Sequence, residues 1–283
     1  MWSFGVLNEK YATVYRDVKY LARALGLEVN FCLPKQIAGH LVWTRPWLLS
    51  ATPPEALVIR WIKRSLFPGG TIFDVGAHYG WMSIAAANCV RACGRVVGFE
   101  PSPVLLDVLH YHKRVNRLRQ LQIVPAAVSN KDDRAIPFYL INEGRSFRNS
   151  LTIGPDDTPY INPEDKLRIN VTCTTLDSFV ELSGIIPDVV KIDVEGAELL
   201  VLEGAKHVLE RYHPILILGV HPYWLPRAHS AEQLFVILRD LGYKIAAEHI
   251  LQFENSYPAD YLGTYRDATS ACDVDRSMEG RND

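Results

Sequence analysis

Short apolar runs alternate along the chain with longer segments whose apolar positions recur at helical spacing, and glycine, proline and small polar residues mark the joints. Thr71 to Val75, Arg95 to Glu100, Gln122 to Val128, Val189 to Asp193 and Ile215 to Val220 read as buried strands. The helical segments between them carry their own stop and start signals. Thr52 and Glu55 have capping-box spacing, Pro53 and Pro54 suit a first turn, and Gly69-Gly70 suit a stop, which places a helix before the first strand. An alanine-rich helix follows Gly80 and runs to about Val90. Ser102-Pro103 opens a helix that stops near Asn116, and Thr175 caps a short one closed by Gly184. Glu195 to Tyr212 is helical in pattern. Ser230 and Gln233 form a capping box for a helix ending at Gly242, after which Lys244 begins another strand. Ala135 to Leu140 and Asn170 to Thr175 also have strand character, and the polar segment 141–169 that spans them is long enough to serve as a lid.

This alternation predicts an α/β fold, a doubly wound, Rossmann-like parallel sheet covered by helices on both faces. Residues 52–253 form that domain, residues 1–51 an aromatic-rich extension packed on it, and residues 254–283 a C-terminal tail. Ligands of such sheets bind beyond the carboxyl ends of the strands, so the chemistry is sought there.

Composition narrows the function classes. The 283 residues are 48% hydrophobic and 22% charged, which fits a folded protein and excludes a disordered or fibrous one. Thirty basic residues nearly balance 32 acidic ones, so no global field favours nucleic acid or an anionic membrane. The five cysteines, at 32, 89, 93, 173 and 272, include no CxxC pair and suggest reduced thiols. Charged residues Glu9, Lys10, Arg16 and Asp17 interrupt any secretory core, and no apolar run is long enough to span a membrane. A soluble, cytoplasmic protein is expected.

The first strand ends in Asp74-Val75-Gly76-Ala77-His78-Tyr79-Gly80, and Glu100 ends the second. Glycines at 76 and 80 suit a tight turn and a close helix, while an acid at the second strand end is placed to accept ribose hydroxyls. Asp74 beside the turn would repel a pyrophosphate, and the glycine pattern lacks the full dinucleotide fingerprint, which disfavours an NAD-type oxidoreductase. A cationic adenosyl cofactor suits an acidic rim. The fourth strand ends in Asp193, with Glu195 and Glu198 following, and the fifth in His221. Asp193 faces the crevice. Each glutamate is either a site residue or a favourable charge in a first helical turn. His221 is either a titrating site residue or a satisfied structural one, and His78 either lines the pocket or faces solvent. His110 and His112 read as part of a solvated basic helix face, and Cys89 and Cys93 as small buried residues. No ligand spacing demands a metal, although two carboxylates near a diol could hold magnesium.

Taken in order, FDVGAHYG at 73–80, GFEPSP at 98–103, PAAVS at 125–129, TTLDSF at 174–179 and KIDVEGAELLVLEGA at 191–205 closely resemble the FkbM family of S-adenosylmethionine-dependent methyltransferases, over about residues 67–250. The resemblance implies a seven-stranded class I methyltransferase sheet. It also implies S-adenosyl-L-methionine as cofactor and methyl transfer to a hydroxyl of a sugar, a glycan or another small metabolite, with no nucleic-acid partner. Asp74, Gly76, Ala77 and Gly80 would surround the methionine part, Glu100 the ribose, and Pro101, Ala126 and Ala127 the adenine region, with His78 in the same glycine turn a further cofactor-binding candidate. Asn149 and Ser150 fall near a stretch that would touch cofactor or substrate. Asp193 or His221 would accept the hydroxyl proton while Glu195 and Glu198 orient the acceptor. A catalytically silent cofactor-binding module that recruits partners through the aromatic extension is the alternative outside enzymes.

Overall fold

The computed structural model describes residues 32–45, 48–49, 56–141, 149–151, 166–221, 231–246 and 259–265. Most of the extension, the capping box at 52–55, the greater part of segment 141–169, Ser230 and the end of the tail lie outside the described residues.

The parallel core consists of β3 (Thr71–Val75), β4 (Arg95–Phe99), β5 (Leu121–Val124), β9 (Val189–Ile192) and β10 (Ile215–Val220). Two later strands, β11 (Tyr243–Ala246) and β12 (Ala259–Tyr265), complete a seven-stranded sheet in the order β11-β12-β10-β9-β3-β4-β5. Strand β12 pairs antiparallel with both β10 and β11. It lies beyond residue 253, so the sheet continues into the stretch that the sequence assigned to a tail.

Nearly continuous apolar runs form these strands because both faces are covered. Ile72, Val96, Val189 and Ile217 belong to one face, with α1 (Ala56–Ser65) and α2 (Trp81–Val90). Phe73, Val97, Val190 and Leu218 belong to the other. That second face packs on α4 (Leu176–Ser183), α5 (Glu198–Glu203), α6 (Lys206–Tyr212) and α7 (Ala231–Asp240). Helix α1 buries Val58, Ile59, Trp61 and Ile62 and ends in Lys63 and Arg64, where positive charge suits the helix C-terminus. Helix α4 begins at Thr175, whose hydroxyl accepts the Ser178 N–H, and ends at Gly184 with φ 68°. Helix α3 (Pro103–Val115) starts on a proline and ends at Asn116.

Four local readings of the sequence are corrected. The strand expected over Gln122–Val128 stops at Val124, because Pro125 has no N–H to continue the ladder. The chain then resumes as β6 (Ala127–Val128) in a separate sheet, β6-β8-β7, with β7 (Asp133–Ile141) and β8 (Lys166–Thr174). The helix expected from Glu195 starts at Glu198 and is divided at Gly204, where an added Cβ would lie 2.0 Å from the Ser129 carbonyl oxygen. His112 is fully buried, not part of a solvated face, and Cys93 is exposed.

The hairpin of β1 (Leu33–Ile37) and β2 (His40–Thr44) turns on Ala38-Gly39, both at positive φ. It rests on α3 through a mutual pair, Trp43 N–H to Asn116 Oδ1 at 2.7 Å and Asn116 Nδ2 to the Trp43 carbonyl at 2.8 Å. His112 Nδ1 lies 2.7 Å from the Tyr79 carbonyl, which can only accept, so Nδ1 carries the proton and Nε2 accepts from Thr44 Oγ1 at 2.8 Å. Burial holds this neutral imidazole down at about pH 4, against the Tyr79 hydrogen bond. Among the described residues no helix is long and apolar enough to cross a membrane.

Candidate active site

At the carboxyl ends of β3 and β4 the backbone forms a tight cradle. Gly76 has φ 80°, and a Cβ there would lie 1.9 Å from the Asp193 carbonyl oxygen, so only glycine lets the turns after β3 and β9 meet. The N–H groups of Gly76 and Ala77 both donate to the Phe99 carbonyl, at 3.1 and 3.0 Å. A Cβ at Gly80 would strike Leu109 of α3 at 2.3 Å. His78, at φ 52°, donates its N–H to Glu100 Oε2 at 2.9 Å and lies against the Tyr79 ring, 3.9 Å between centroids. Glu100 Oε1 accepts the Ser102 N–H, also at 2.9 Å. Burial drives the Glu100 carboxyl up to about 7, against the Ser102 and His78 hydrogen bonds. Each carboxyl oxygen thus accepts one backbone N–H. Ala126 and Ala127 are buried at the adjacent break between β5 and β6, and Pro101 is half-buried beside Glu100.

Asp74 has a different setting from the exposed rim inferred from sequence. It sits within β3 directly opposite Lys191 on β9 and is fully buried. Lys191 Nζ lies 3.2 Å from Asp74 Oδ1 and 3.2 Å from Asp193 Oδ2, and donates to the Gly76 carbonyl at 3.1 Å. Ser83 of α2 donates to Asp74 Oδ2 at 2.5 Å. Burial opposes the charge on Lys191, but Asp193 and Asp74 outweigh it and raise the ammonium above its ordinary value. Lys191 and Ser83 received no role from the sequence. The period-2 pattern puts Asp74 and Lys191 on one face, but only the register of two strands far apart in the chain sets them side by side.

The ends of β9 and β10 bring all four remaining candidates together. His221 Nδ1 donates to Glu198 Oε1 at 2.7 Å, and its Nε2 faces Asp193 Oδ1 and Glu195 Oε1, each at 3.6 Å. Glu195 is not in a helical turn. It has φ 53° in the loop before α5, whereas Glu198 is the first helical residue and also accepts the Gly196 N–H at 3.1 Å. Burial opposes a charged His221, yet the Glu198 hydrogen bond and the charges of Glu195, Asp193 and Glu198 lift the imidazole to about 10. Burial likewise acts to raise Asp193, and the charges of Lys191 and His221 outweigh it and hold the carboxyl low. Asp193 is the open member, its side chain 39% exposed, while Glu198 and His221 are buried.

Asn149 and Ser150 support this loop from the second sheet. Ser150 bridges Tyr139 of β7 and donates Oγ to the Glu195 carbonyl at 2.7 Å, and Asn149 Oδ1 accepts the Ile141 N–H at 2.8 Å. Both residues hold backbone.

A doubly wound parallel sheet with an acid at its second strand end and carboxylates along the crevice defines a class I methyltransferase architecture. The chain belongs to the FkbM methyltransferase family, since the model described as "Methyltransferase FkbM domain" matches residues 74–245, more than half of its length. The methyl donor of that family is S-adenosylmethionine. Membership sets the hydride-transfer alternative aside. Among solved structures, the chain is similar to methyltransferase FkbM from Methylobacillus flagellatus, at 18% identity over 70% of this chain and 44% of that one, with a TM-score of 0.46. It therefore spans less than half the length of that protein. It is also similar to M. jannaschii TYW2 in complex with AdoMet, at 12% identity over 84% and 87% of the two chains, with a TM-score of 0.49. Aeropyrum pernix fibrillarin with natively bound S-adenosyl-L-methionine matches at 14% identity over 73% of each chain, with a TM-score of 0.43. No curated protein sequence matches the chain.

Proposed function

We propose that this protein methylates a hydroxyl oxygen on a sugar, a glycan or another small metabolite. The residues present suit S-adenosylmethionine. Glu100 offers buried acceptors, and the crevice carries the carboxylates Asp193, Glu195 and Glu198 with His221, above the buried Asp74–Lys191 pair. When bound, the cofactor supplies an activated methyl carbon whose C–S bond breaks as the new C–O bond forms.

The acceptor must be aligned and relieved of its proton, a task for which general-base assistance contributes about 10²–10⁴-fold. Asp193 carries this reading, as the half-buried carboxylate of a cluster in which Glu195 and Glu198 are buried. The neighbouring carboxylates lift His221 to about 10, so near neutral pH it carries its proton and is a donor, and Asp193 is the base of the two candidates. Glu198 fixes the imidazole ring, and Glu195 stands beside the acceptor's place. The described cysteines 32, 89, 93 and 173 are free thiols, in keeping with a reducing cytoplasm.

The test is a panel of sugar and glycan alcohols, with S-adenosylhomocysteine release as the readout. Asp193→Asn is expected to lower kcat about 100-fold, and Glu100→Ala to raise the KM for the cofactor. Wild-type turnover in both Asp193→Asn and His221→Ala would refute the assignment. Cofactor binding without turnover on any hydroxyl would favour the silent module.

A further inference from the structure

The turn after β3 is held from two sides. His78 stands at φ 52°, a conformation that a non-glycine residue keeps only when its surroundings over-determine it. On one side Glu100 Oε2 accepts the His78 N–H at 2.9 Å. On the other, His112 Nδ1 of α3 donates to the carbonyl of the next residue, Tyr79, at 2.7 Å. Gly80 follows at φ 83°, its N–H on the Ala77 carbonyl at 2.8 Å, and caps α2. The hold on Tyr79 therefore fixes the path of the backbone between the glycine cradle and that helix.

His112 is itself fixed by the hairpin. Its Nε2 accepts from Thr44 Oγ1 at 2.8 Å, and both residues are fully buried, where a lost hydrogen bond leaves its partner unsatisfied. Thr44 thus answers the one ring nitrogen that the Tyr79 bond leaves as an acceptor. The other strand reaches the same place. Lys35 of β1, anchored on the Leu48 and Leu49 carbonyls at 3.0 and 3.2 Å, has its Nζ 5.3 Å from the ring centroid of Trp81, the first residue of α2. The Trp81 indole in turn lies against the His112 ring, 4.8 Å between centroids at 31°. Both strands bear on the start of α2, although the hairpin precedes the matched residues 74–245 and family membership alone gives it no part in the site.

We propose that Thr44 and His112 are positioning residues for the cofactor turn, and that docking of the β1–β2 hairpin on α3 and binding of S-adenosylmethionine strengthen each other through the Tyr79 carbonyl. The coupling rests on the reading that turn 76–80 and Glu100 hold the cofactor; it is independent of which acceptor is methylated. It is also reciprocal. Whatever factor of cofactor affinity is lost when the hairpin is loosened is the factor by which bound cofactor tightens the hairpin.

The experiment titrates the full chain calorimetrically with S-adenosylhomocysteine. Thr44→Val keeps the shape of the side chain without its hydroxyl, and His112→Leu removes both ring nitrogens; each is expected to weaken binding about fivefold or more. Thr44→Ser restores a hydroxyl, and His112→Asn offers an amide N–H in the place of Nδ1. Both should bind within about twofold of the wild type. Asn116→Ala breaks the hairpin's pair with Trp43 one turn further along α3 and should also stay within about twofold. A loss there equal to that in Thr44→Val would reduce the effect to hairpin stability and overturn the proposal. Hydrogen exchange on the wild type keeps the test independent of how the variants fold. Saturating S-adenosylhomocysteine should slow exchange in residues 33–44 about fivefold or more, and unchanged exchange would overturn the coupling. Binding weakened in Glu100→Ala but not in Thr44→Val or His112→Leu would sink the coupling alone. Binding that Glu100→Ala leaves unchanged would put the cofactor elsewhere and sink the reading beneath it.

Discussion

Replacing Lys191 with methionine keeps the length of the side chain and removes the charge on which two carboxylates converge. Asp74 is then left at the centre of the sheet with Ser83 as its remaining polar side-chain partner among the contacts described above. At 3.2 Å, each of the two ion pairs has a Coulomb energy of about 5 kcal/mol at an effective dielectric near 20. Desolvation offsets much of this, so the pair adds little net stability, but breaking it strands a buried charge. The expected loss is about 3–5 kcal/mol. For a chain of this size that is a fall in Tm of about 6–20 °C, at about 2–4 °C per kcal/mol. The assay is urea unfolding of the wild type, Lys191→Met, Asp74→Asn and the double variant. Neutralising Asp74 as well should restore about 1–3 kcal/mol, a coupling that separates the stranded charge from lost packing. A single variant within about 1 kcal/mol of the wild type, or a cycle that is simply additive, would refute the reasoning.

Two buried groups give pH effects of opposite sign. Glu100 has its pKa raised from 4.5 to about 7, so its contribution to stability is full below 4.5 and declines as pH rises to about 7, by about 3 kcal/mol. Isotope-edited infrared titration should show a carboxylic acid ionising near pH 7 that is missing in Glu100→Gln, and ionisation near 4.5 would contradict it. Because the ionised form accepts ribose hydroxyls better, cofactor affinity should rise as pH passes through about 7. His112 is lowered from 6.5 to about 4, so its contribution is full above 6.5 and is lost as pH falls toward 4, again by about 3 kcal/mol. Between pH 5 and 7 the His112 part is about 2 kcal/mol, and because Glu100 acts in the opposite sense it should be read as the difference in the pH dependence of the unfolding free energy between the wild type and His112→Gln. Gly76→Ala combines a positive φ with a collision at the Asp193 carbonyl, and a loss of about 3 kcal/mol or more is expected in thermal unfolding. A change below about 1 kcal/mol would mean that the two turns can separate freely.

The alternation of strands and helices was legible because both faces of β3, β4, β9 and β10 are buried and leave apolar runs. The glycine turn, Glu100 and the carboxylates after β9 were legible because strand ends carry the chemistry in such sheets. Other features depend on contacts between distant segments. Gly204 looks like an ordinary helical position until Ser129 is packed against it. Lys191 reads as one polar residue in a strand until the register places it opposite Asp74. His221 suggests a base near neutrality, and only the approach of three carboxylates to one buried ring reverses its charge. Strand β12 follows a stretch with no helical crossover pattern, since an antiparallel strand needs none.

The bond from the Ile141 N–H to Asn149 Oδ1, together with the Tyr139–Ser150 bridge, fastens the two ends of segment 142–148 to each other beside the crevice. A connection whose two flanking residues are held together can change length at little cost to the scaffold. Doubling it would add only about 0.6 kcal/mol of closure entropy. Ser150, meanwhile, keeps its hold on the Glu195 carbonyl whatever sequence intervenes. The carboxylates and the glycine cradle are thereby tied to the second sheet through contacts that do not depend on what lies between residues 141 and 149.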